Sequence, residues 1–287
     1  MDRQAQAIVD RVQVDRESGA TRLALDTLDA LSHWLESTSA GEEQIRELLE
    51  TLAIARPSMV PLGNAIRRCQ QSAEAPAGAR DFRARLLPAL VQVKAQLQGA
   101  TTAIARLAAQ QVPEQAAILT HSRSTQVMAL FRLLVERKQP FSVICTQASP
   151  GNEGFILARD LDRLGVPVTL ITDAQMGLFM ARADLAVCGC DTWLADRHFV
   201  NKSGTLLLAL AAREQGKPLW VLADSFKDSP ATSTTVTLEE MPAGEIGAPS
   251  GAHITTRNIY FETVPNHLVS GRISEQGVVS FPAGELR

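Results

Sequence analysis

The feature that most constrains this fold is a series of short apolar runs separated by helix-length segments. The runs occupy residues 116–119, 141–145, 168–171, 185–188 and 219–222. The segments between them include residues 126–137, 153–164 and 204–215. Such alternation is typical of a parallel sheet with helices on both faces, and strands buried on both faces read as apolar runs. A further segment, residues 259–264, could add an edge strand.

The first hundred residues have a different pattern, in which apolar side chains recur every three or four positions. Two such stripes are Leu23, Ala24, Leu28, Leu31 and Leu35, and Phe82, Leu86, Leu90, Val93 and Leu97. This spacing is typical of amphipathic helices. We therefore predict an α/β protein with an N-terminal helical domain, residues 1–110, followed by a parallel-sheet domain, residues 111–287.

Charge and cysteine content limit the functional classes. Lys and Arg total 28 against 31 Asp and Glu, a net charge of -3, so direct nucleic-acid binding is not expected. The sequence has no apolar run of 18 residues and no basic leader with an apolar core, which predicts neither a membrane span nor a signal peptide. The four cysteines lack zinc-site spacing. We expect reduced, buried thiols in a cytoplasmic protein without a metal site.

Polar residues follow the predicted strands, where ligands bind in open parallel sheets. Two of these segments lead into predicted helices: Ser122 to Thr125, with Ser124 between them, and Asn201 to Thr205, with Lys202. Backbone N–H groups and hydroxyls at a helix N-terminus suit phosphate. The alternative, helix capping by Ser, Thr and Asn, needs no ligand and stays open. Further candidates in such segments are Glu153, Asp191 and Lys227.

Known nucleotide motifs are absent. The chain has neither Gly-x-Gly-x-x-Gly after the first strand nor the phosphate-loop motif that ends in Gly-Lys-Ser/Thr, which disfavours classical NAD binding and nucleotide hydrolysis. Gly-x-Ser-x-Gly is also absent, which disfavours an α/β-hydrolase. We predict no cofactor.

Several segments, in order along almost the whole chain, resemble one family. They are Ser18-Gly19-Ala20, Arg56-Pro57-Ser58-Met59-Val60, Gly63-Asn64-Ala65-Ile66, Ile118-Leu119-Thr120-His121-Ser122, Asp191, Asn201-Lys202-x-Gly204-Thr205, Ser225-Phe226-Lys227, Phe261-Glu262-x-x-Pro265 and Glu275-x-Gly277. This combination is similar to the initiation factor 2B alpha/beta/delta family, which includes methylthioribose-1-phosphate isomerase and ribose-1,5-bisphosphate isomerase.

The resemblance implies a helical domain, a Rossmann-like domain, a ligand site in the cleft between them, and usually a dimer. In the isomerases a Cys and an Asp move hydrogen between C1 and C2 of a ribose 1-phosphate, and the Asp matches Asp191. The phosphate- and sugar-binding positions match Arg56, Asn201 and Lys202, with Lys227 in a matching segment. Leu206, Leu207 and Leu208 exceed what one helix face needs and also favour a homodimer, unless one subunit buries both faces.

Three substitutions depart from the isomerase pattern. Ser122 occupies the position of the catalytic Cys, and a hydroxyl is a far weaker nucleophile than a thiol unless a base adjoins it. His121 could be that base, and Cys190 could offer a thiol instead, although a buried cysteine is the simpler interpretation. Glu153 replaces the usual Gln, where a carboxylate would repel a phosphorylated sugar, and Ser18 replaces an Arg.

Two functions follow from these residues. In the first, the protein binds a phosphorylated sugar or nucleotide with degenerate or altered isomerase chemistry, as a sensor or through contacts with translation factors. In the second, it is an active aldose–ketose isomerase on a ribose 1-phosphate derivative, with Asp191 as general acid/base and Ser122 in the catalytic site. The loss of the Cys favours the first function, and the retention of Asp191 favours the second.

Overall fold

The computed structural model of the protein describes residues 1–15, 18–57, 59–74 and 81–281; Ser58 of the Arg-Pro segment lies outside them. The chain forms two compact units. A helical unit contains Met1–Ala100 and Phe226–Asp228, and a sheet unit contains Thr101–Ser225 and the chain from Ser229 onward. The predicted domain boundary at residue 110 stays a prediction.

The helical unit is built from amphipathic helices. These are α1 (Arg3–Val14), α2 (Ala20–Ser37), α3 (Glu42–Ile54), α4 (Val60–Ala73) and α5 (Phe82–Ala109), whose last residues belong to the sheet unit. Both predicted stripes are buried in its core. Pro61 lies in the first turn of α4. Proline fits there because backbone N–H groups in the first turn have no partner within the helix, so its missing N–H costs no helical hydrogen bond.

The sheet unit alternates strands and helices as the sequence predicts. Its strands are β1 (Ala116–Thr120), β2 (Phe141–Thr146), β3 (Val168–Ile171), β4 (Leu185–Cys188), β5 (Thr192–Trp193), β6 (His198–Lys202), β7 (Leu219–Leu222), β8 (Phe261–Pro265), β9 (Gly271–Ser274) and β10 (Gly277–Ser280). Its helices are α6 (Thr125–Glu136), α7 (Glu153–Arg163), α8 (Met176–Met180) and α9 (Thr205–Glu214). The five predicted strands are β1, β2, β3, β4 and β7.

Seven strands form the main sheet in the order β10-β9-β7-β4-β1-β2-β3. All neighbours are parallel except β9 and β10. Ile118 and Val187 pack in the core on one face, and Leu119 and Ala186 pack on the other. Burial on both faces explains why the strands read as apolar runs. The predicted α/β fold, a helical N-terminal part followed by a mostly parallel sheet, is confirmed.

A second sheet has three antiparallel strands in the order β5-β6-β8. Strand β8 begins at Phe261, so the segment predicted from residue 259 starts two residues later and pairs in this small sheet instead of extending the main one. Asn201 and Lys202 end β6, opposite Glu262 and Phe261. They therefore lie in a strand, not in the loop that the sequence predicted.

All four cysteines are buried thiols outside any disulfide. Within the described residues, we find no helix that combines the length and the apolar character needed to cross a bilayer.

Candidate functional site

The strand register gathers the predicted polar segments at one edge of the main sheet. Thr120, the last residue of β1, pairs with Cys145 of β2 on one side and Val187 of β4 on the other. The chain therefore leaves these three neighbouring strands at the same edge. Ser122 follows β1, Glu153 follows the turn after β2, and Asp191 follows β4.

The imidazole of His121 is fixed inside this edge. Its Nε2 lies 2.8 Å from the carbonyl oxygen of Ser203, and its Nδ1 lies 2.7 Å from Oγ1 of Thr146. A carbonyl only accepts, so Nε2 carries the hydrogen and Nδ1 accepts from the Thr146 hydroxyl. Burial lowers the pKa of His121 and keeps the ring neutral. Both nitrogens are engaged, so His121 cannot activate Ser122, and that possibility from the sequence is wrong.

Ser122 makes the turn out of β1 in an unusual conformation. Its φ is 63°, in the left-handed region that non-glycine residues seldom adopt. Such a conformation costs about 1–3 kcal/mol and is concentrated at functional sites. After this turn comes Ser124, the N-cap residue of α6. The Ser124 side chain makes no capping hydrogen bond.

Gly189, directly after β4, lets two predicted site residues lie close together. A Cβ built on Gly189 would lie 2.5 Å from Oγ of Ser124 and 3.9 Å from Oδ1 of Asn201. Asn201 is buried, and its Nδ2 donates to Oγ1 of Thr205 over 2.9 Å. The structure therefore brings Ser124 and Asn201 together beside the N-terminus of α6.

The N-terminus of α9 is occupied by a side chain of the protein itself. Oε1 of Glu262 accepts from the backbone N–H groups of Gly204 and Leu206, over 2.7 and 2.8 Å. A carboxylate thus already accepts from two of the N–H groups at this helix start, which favours capping over an anion site there. The cap comes from β8 and not from a neighbouring Ser, Thr or Asn, and ligand binding by Asn201 and Lys202 stays a prediction.

Lys202 and Glu153 form an ion pair. Nζ of Lys202 lies 2.8 Å from Oε1 of Glu153, and the Lys202 side chain is only 5% exposed. The same ammonium lies 3.6 Å from the centre of the Tyr260 ring, a cation–π contact. Glu153 is the first residue of α7, where the helix dipole favours a carboxylate.

Asp191 connects the ends of β4 and β6. Its backbone N–H donates to the carbonyl of Val200 over 2.8 Å, and the residue is half-buried. Its neighbour Cys190 is 2% exposed, which agrees with the simpler interpretation of a buried cysteine. Burial also raises the pKa of the Cys145 thiol in β2 to about 11, so that thiol is a poor nucleophile at neutral pH. The acid/base role of Asp191 stays a prediction.

Within the helical unit, two of the predicted segments meet at Asp15. Nη1 of Arg56 donates to the Asp15 carbonyl over 2.7 Å, and the Asp15 carboxylate accepts from the N–H of Ser18 over 2.8 Å. Gly19 is then the N-cap of α2, which begins at Ala20, and offers no capping side chain. Arg56 is buried, 8% exposed.

Lys227 belongs to the helical unit and is 3% exposed. Its neighbours are held by Asn64, whose Nδ2 donates to the carbonyls of Phe226 and Asp228 over 2.7 and 2.8 Å. That Arg56 and Lys227 share a ligand with Asp191 stays a prediction.

Sequence reasoning missed a buried polar pair in the sheet unit. The Asp224 carboxylate, fully buried after β7, accepts from Nε2 of Gln126 in α6. Nη2 of Arg272 donates to the Asp224 carbonyl over 2.8 Å. The position of Asp224 in the sequence could have identified it, because it follows a predicted strand as closely as the chosen candidate residues do. Within the described residues, no three His, Cys, Asp or Glu side chains are grouped to hold a metal ion.

The fold and its polar edge define the class: an α/β protein with a helical N-terminal unit and buried polar side chains at the carboxyl ends of a parallel sheet. Residues 16–281 match the model of the Initiation factor 2 subunit family, and the chain belongs to this family. The resemblance seen in the sequence is thereby confirmed.

Relatives within the family carry two kinds of name. A translation initiation factor eIF-2B subunit 2-like protein of Pyrococcus abyssi is 32% identical, with 96% of each chain covered. A ribose 1,5-bisphosphate isomerase of Haloferax volcanii is 29% identical, with 96% of this chain and 90% of that protein covered. The crystal structure of the Pyrococcus horikoshii translation initiation factor eIF-2B has a TM-score of 0.85 and 34% identity, with 98% of each chain covered.

Proposed function

We propose that the protein binds a phosphorylated sugar or nucleotide at the carboxyl edge of its main sheet. The observation that carries the proposal is the contrast between two helices that begin there. Glu262 caps α9, whereas the N-cap Ser124 of α6 makes no side-chain capping bond, and both Ser124 and Asn201 lie close to Gly189. A helix N-terminus of this kind, at the edge where parallel sheets bind ligands, suits a phosphate group.

We propose further that the isomerase chemistry of the family is altered or absent. Ser122 supplies a hydroxyl where the resembling isomerases have a thiol, and both nitrogens of His121 are committed to Thr146 and Ser203. A serine without a base is a poor nucleophile. These contacts favour a binding or sensing role.

The second candidate is an active aldose–ketose isomerase. The observation in its favour is the hydrogen bond from Asp191 to Val200, which holds Asp191 beside the strand end that carries Asn201 and Lys202. A carboxylate in that position suits proton transfer between adjacent carbons. In this alternative the residue in the Cys position, Ser122, takes a role other than that of a thiolate.

Calorimetric titration with ribose 1-phosphate, ribose 1,5-bisphosphate and adenosine monophosphate tests the proposal. Ser124→Asp places a carboxylate at the start of α6, where Asp caps helices well, so stability should hold while affinity falls at least about tenfold by charge repulsion. Ser280→Asp makes the same charge change at the exposed end of β10 and is the matched control. If all three compounds fail to bind, or both variants weaken binding equally, the proposal is wrong.

The residues of the helical unit enter the proposal through the family resemblance, which assigns Arg56, Ser18-Gly19-Ala20 and Lys227 to the same ligand. Arg56→Lys keeps a positive charge but removes the planar guanidinium that forms two parallel hydrogen bonds with phosphate. We expect this variant to weaken ribose 1-phosphate binding. Unchanged affinity in Arg56→Lys would remove Arg56 from the ligand site.

We propose that the protein is a homodimer. Helix α9 buries Leu208 completely, whereas Leu207 and Leu210 remain 57% and 47% exposed in the single chain. This exposure favours the dimer over the alternative, in which one subunit buries both faces of the helix. Exposed leucines on a helix flank are suited to contact with a second copy.

A cytoplasmic location is part of the proposal. All four cysteines are buried thiols outside any disulfide, and reducing compartments keep thiols in that state. Fractionation of cells that produce the protein would test it, and recovery from an oxidising compartment would contradict it.

A further inference from the structure

The ion pair with Glu153 limits which ligand groups Lys202 can bind. The ion pair between them has no net charge, and the ammonium also contacts the Tyr260 ring, so the Lys202 side chain is only 5% exposed. A phosphate that binds Lys202 must first displace a carboxylate from a largely buried ion pair. A neutral hydroxyl needs only to share its hydrogen bonds.

The Glu153 carboxylate lies over the turn before α7. A Cβ built on Gly151 would lie 2.7 Å from Oε1 and 3.1 Å from Oε2 of Glu153. Within the described part of the chain, Oε2 is buried without a hydrogen-bond partner. Among the described residues, the hydrogen bond that fixes this carboxylate is therefore the one from Nζ of Lys202 to Oε1.

We propose that Glu153 is a specificity-determining residue, which makes the site beside Lys202 accept a sugar hydroxyl and reject a second phosphate group. This inference rests on the proposed function, in which the first phosphate binds at the start of α6. The ligand class is then a sugar monophosphate with a free hydroxyl directed to Lys202. A second phosphate group would gain no net attraction from this neutral pair, and it would have to displace the Glu153 carboxylate from Lys202 to bind the ammonium.

Glu153→Gln removes the charge with little change in shape. The amide oxygen can still accept from Nζ of Lys202, and the amide nitrogen takes the place of Oε2, which receives no hydrogen bond from the described residues. Lys202 then regains a net positive charge. Glu240→Gln is the matched control, because it makes the same charge change at an exposed ion pair with Arg257.

The test compares dissociation constants for ribose 1-phosphate and ribose 1,5-bisphosphate by calorimetry. We expect the wild type to bind the monophosphate at least as tightly as the bisphosphate. In Glu153→Gln the affinity for the bisphosphate should rise at least about tenfold more than that for the monophosphate, and Glu240→Gln should leave the ratio unchanged.

Three results would contradict the inference. A wild type that binds the bisphosphate about tenfold more tightly than the monophosphate overturns the inference, even if Glu153→Gln fails to fold. Equal changes for both ligands in Glu153→Gln also overturn it, while the proposed function stands. If the wild type binds neither compound nor adenosine monophosphate, the proposed function fails and the inference fails with it.

Discussion

The neutral, buried His121 predicts a specific loss of stability in acid. Burial lowers the pKa of its ring in the folded protein, and hydrogen bonds join the ring to Thr146 and Ser203. In the unfolded chain a histidine titrates near pH 6.5, so below that pH the unfolded state binds a proton that the folded state does not. Stability is therefore retained above about pH 6.5 and lost as the pH falls toward the lower folded-state pKa.

The expected loss is about 1.4 kcal/mol between pH 7.5 and pH 5.5, provided that the folded ring stays neutral over this range. His121→Gln should remove it, because a glutamine oxygen can accept from the Thr146 hydroxyl and its amide can donate to the Ser203 carbonyl without titrating. The variant therefore separates the effect of histidine protonation on stability from the effect of the two hydrogen bonds.

Urea unfolding at the two pH values measures this effect. Trp193 and Trp220 lie in the same unit as His121, and their fluorescence reports on that unit. The wild type should lose about 1.4 kcal/mol more than His121→Gln as the pH falls. His267→Gln, an exposed position, is the control and should behave as the wild type does. Equal losses in the wild type and His121→Gln would refute the neutral, buried histidine.

Three further predictions concern the helix cap, the chemistry and the assembly. Glu262→Ala should lower the free energy of unfolding by about 1–2 kcal/mol in urea titrations, because two N–H groups of α9 lose their acceptor; no change would contradict the cap. If only the thiol is missing, Ser122→Cys should create or raise turnover of ribose 1-phosphate derivatives and Asp191→Asn should abolish it; if wild type and Ser122→Cys bind without turnover, the sensor function stands. Light scattering should give twice the chain mass of 31.0 kDa, and Leu207→Ser should shift the protein toward monomer; a mass of one chain in the micromolar wild type would contradict the dimer.

The sequence predicted the helices and strands whose pattern of apolar residues follows directly from which of their faces are buried. Strands β1, β2, β3, β4 and β7 are apolar runs because parallel strands between two helical layers are buried on both sides. The amphipathic helices of the first hundred residues were visible for a similar reason, since each buries one face.

Contacts between residues far apart in the chain could not be predicted from the sequence. Glu262 caps a helix that begins 57 positions earlier, and only the pairing of β6 with β8 brings the two together. The ion pair of Glu153 with Lys202 likewise joins residues far apart in the chain. Single residues could thus be chosen as candidates at strand ends, but which of them would neutralise or cap another depended on the tertiary structure.

A crystal structure of the protein soaked with ribose 1-phosphate would test the proposed ligand site directly. We expect density for the sugar phosphate at the carboxyl edge of the main sheet. The phosphate should lie within hydrogen-bond distance of the backbone N–H groups at the start of α6, near Ser124 and Asn201. Density at another place on the protein, or a phosphate at the start of α9 with Glu262 displaced, would contradict it.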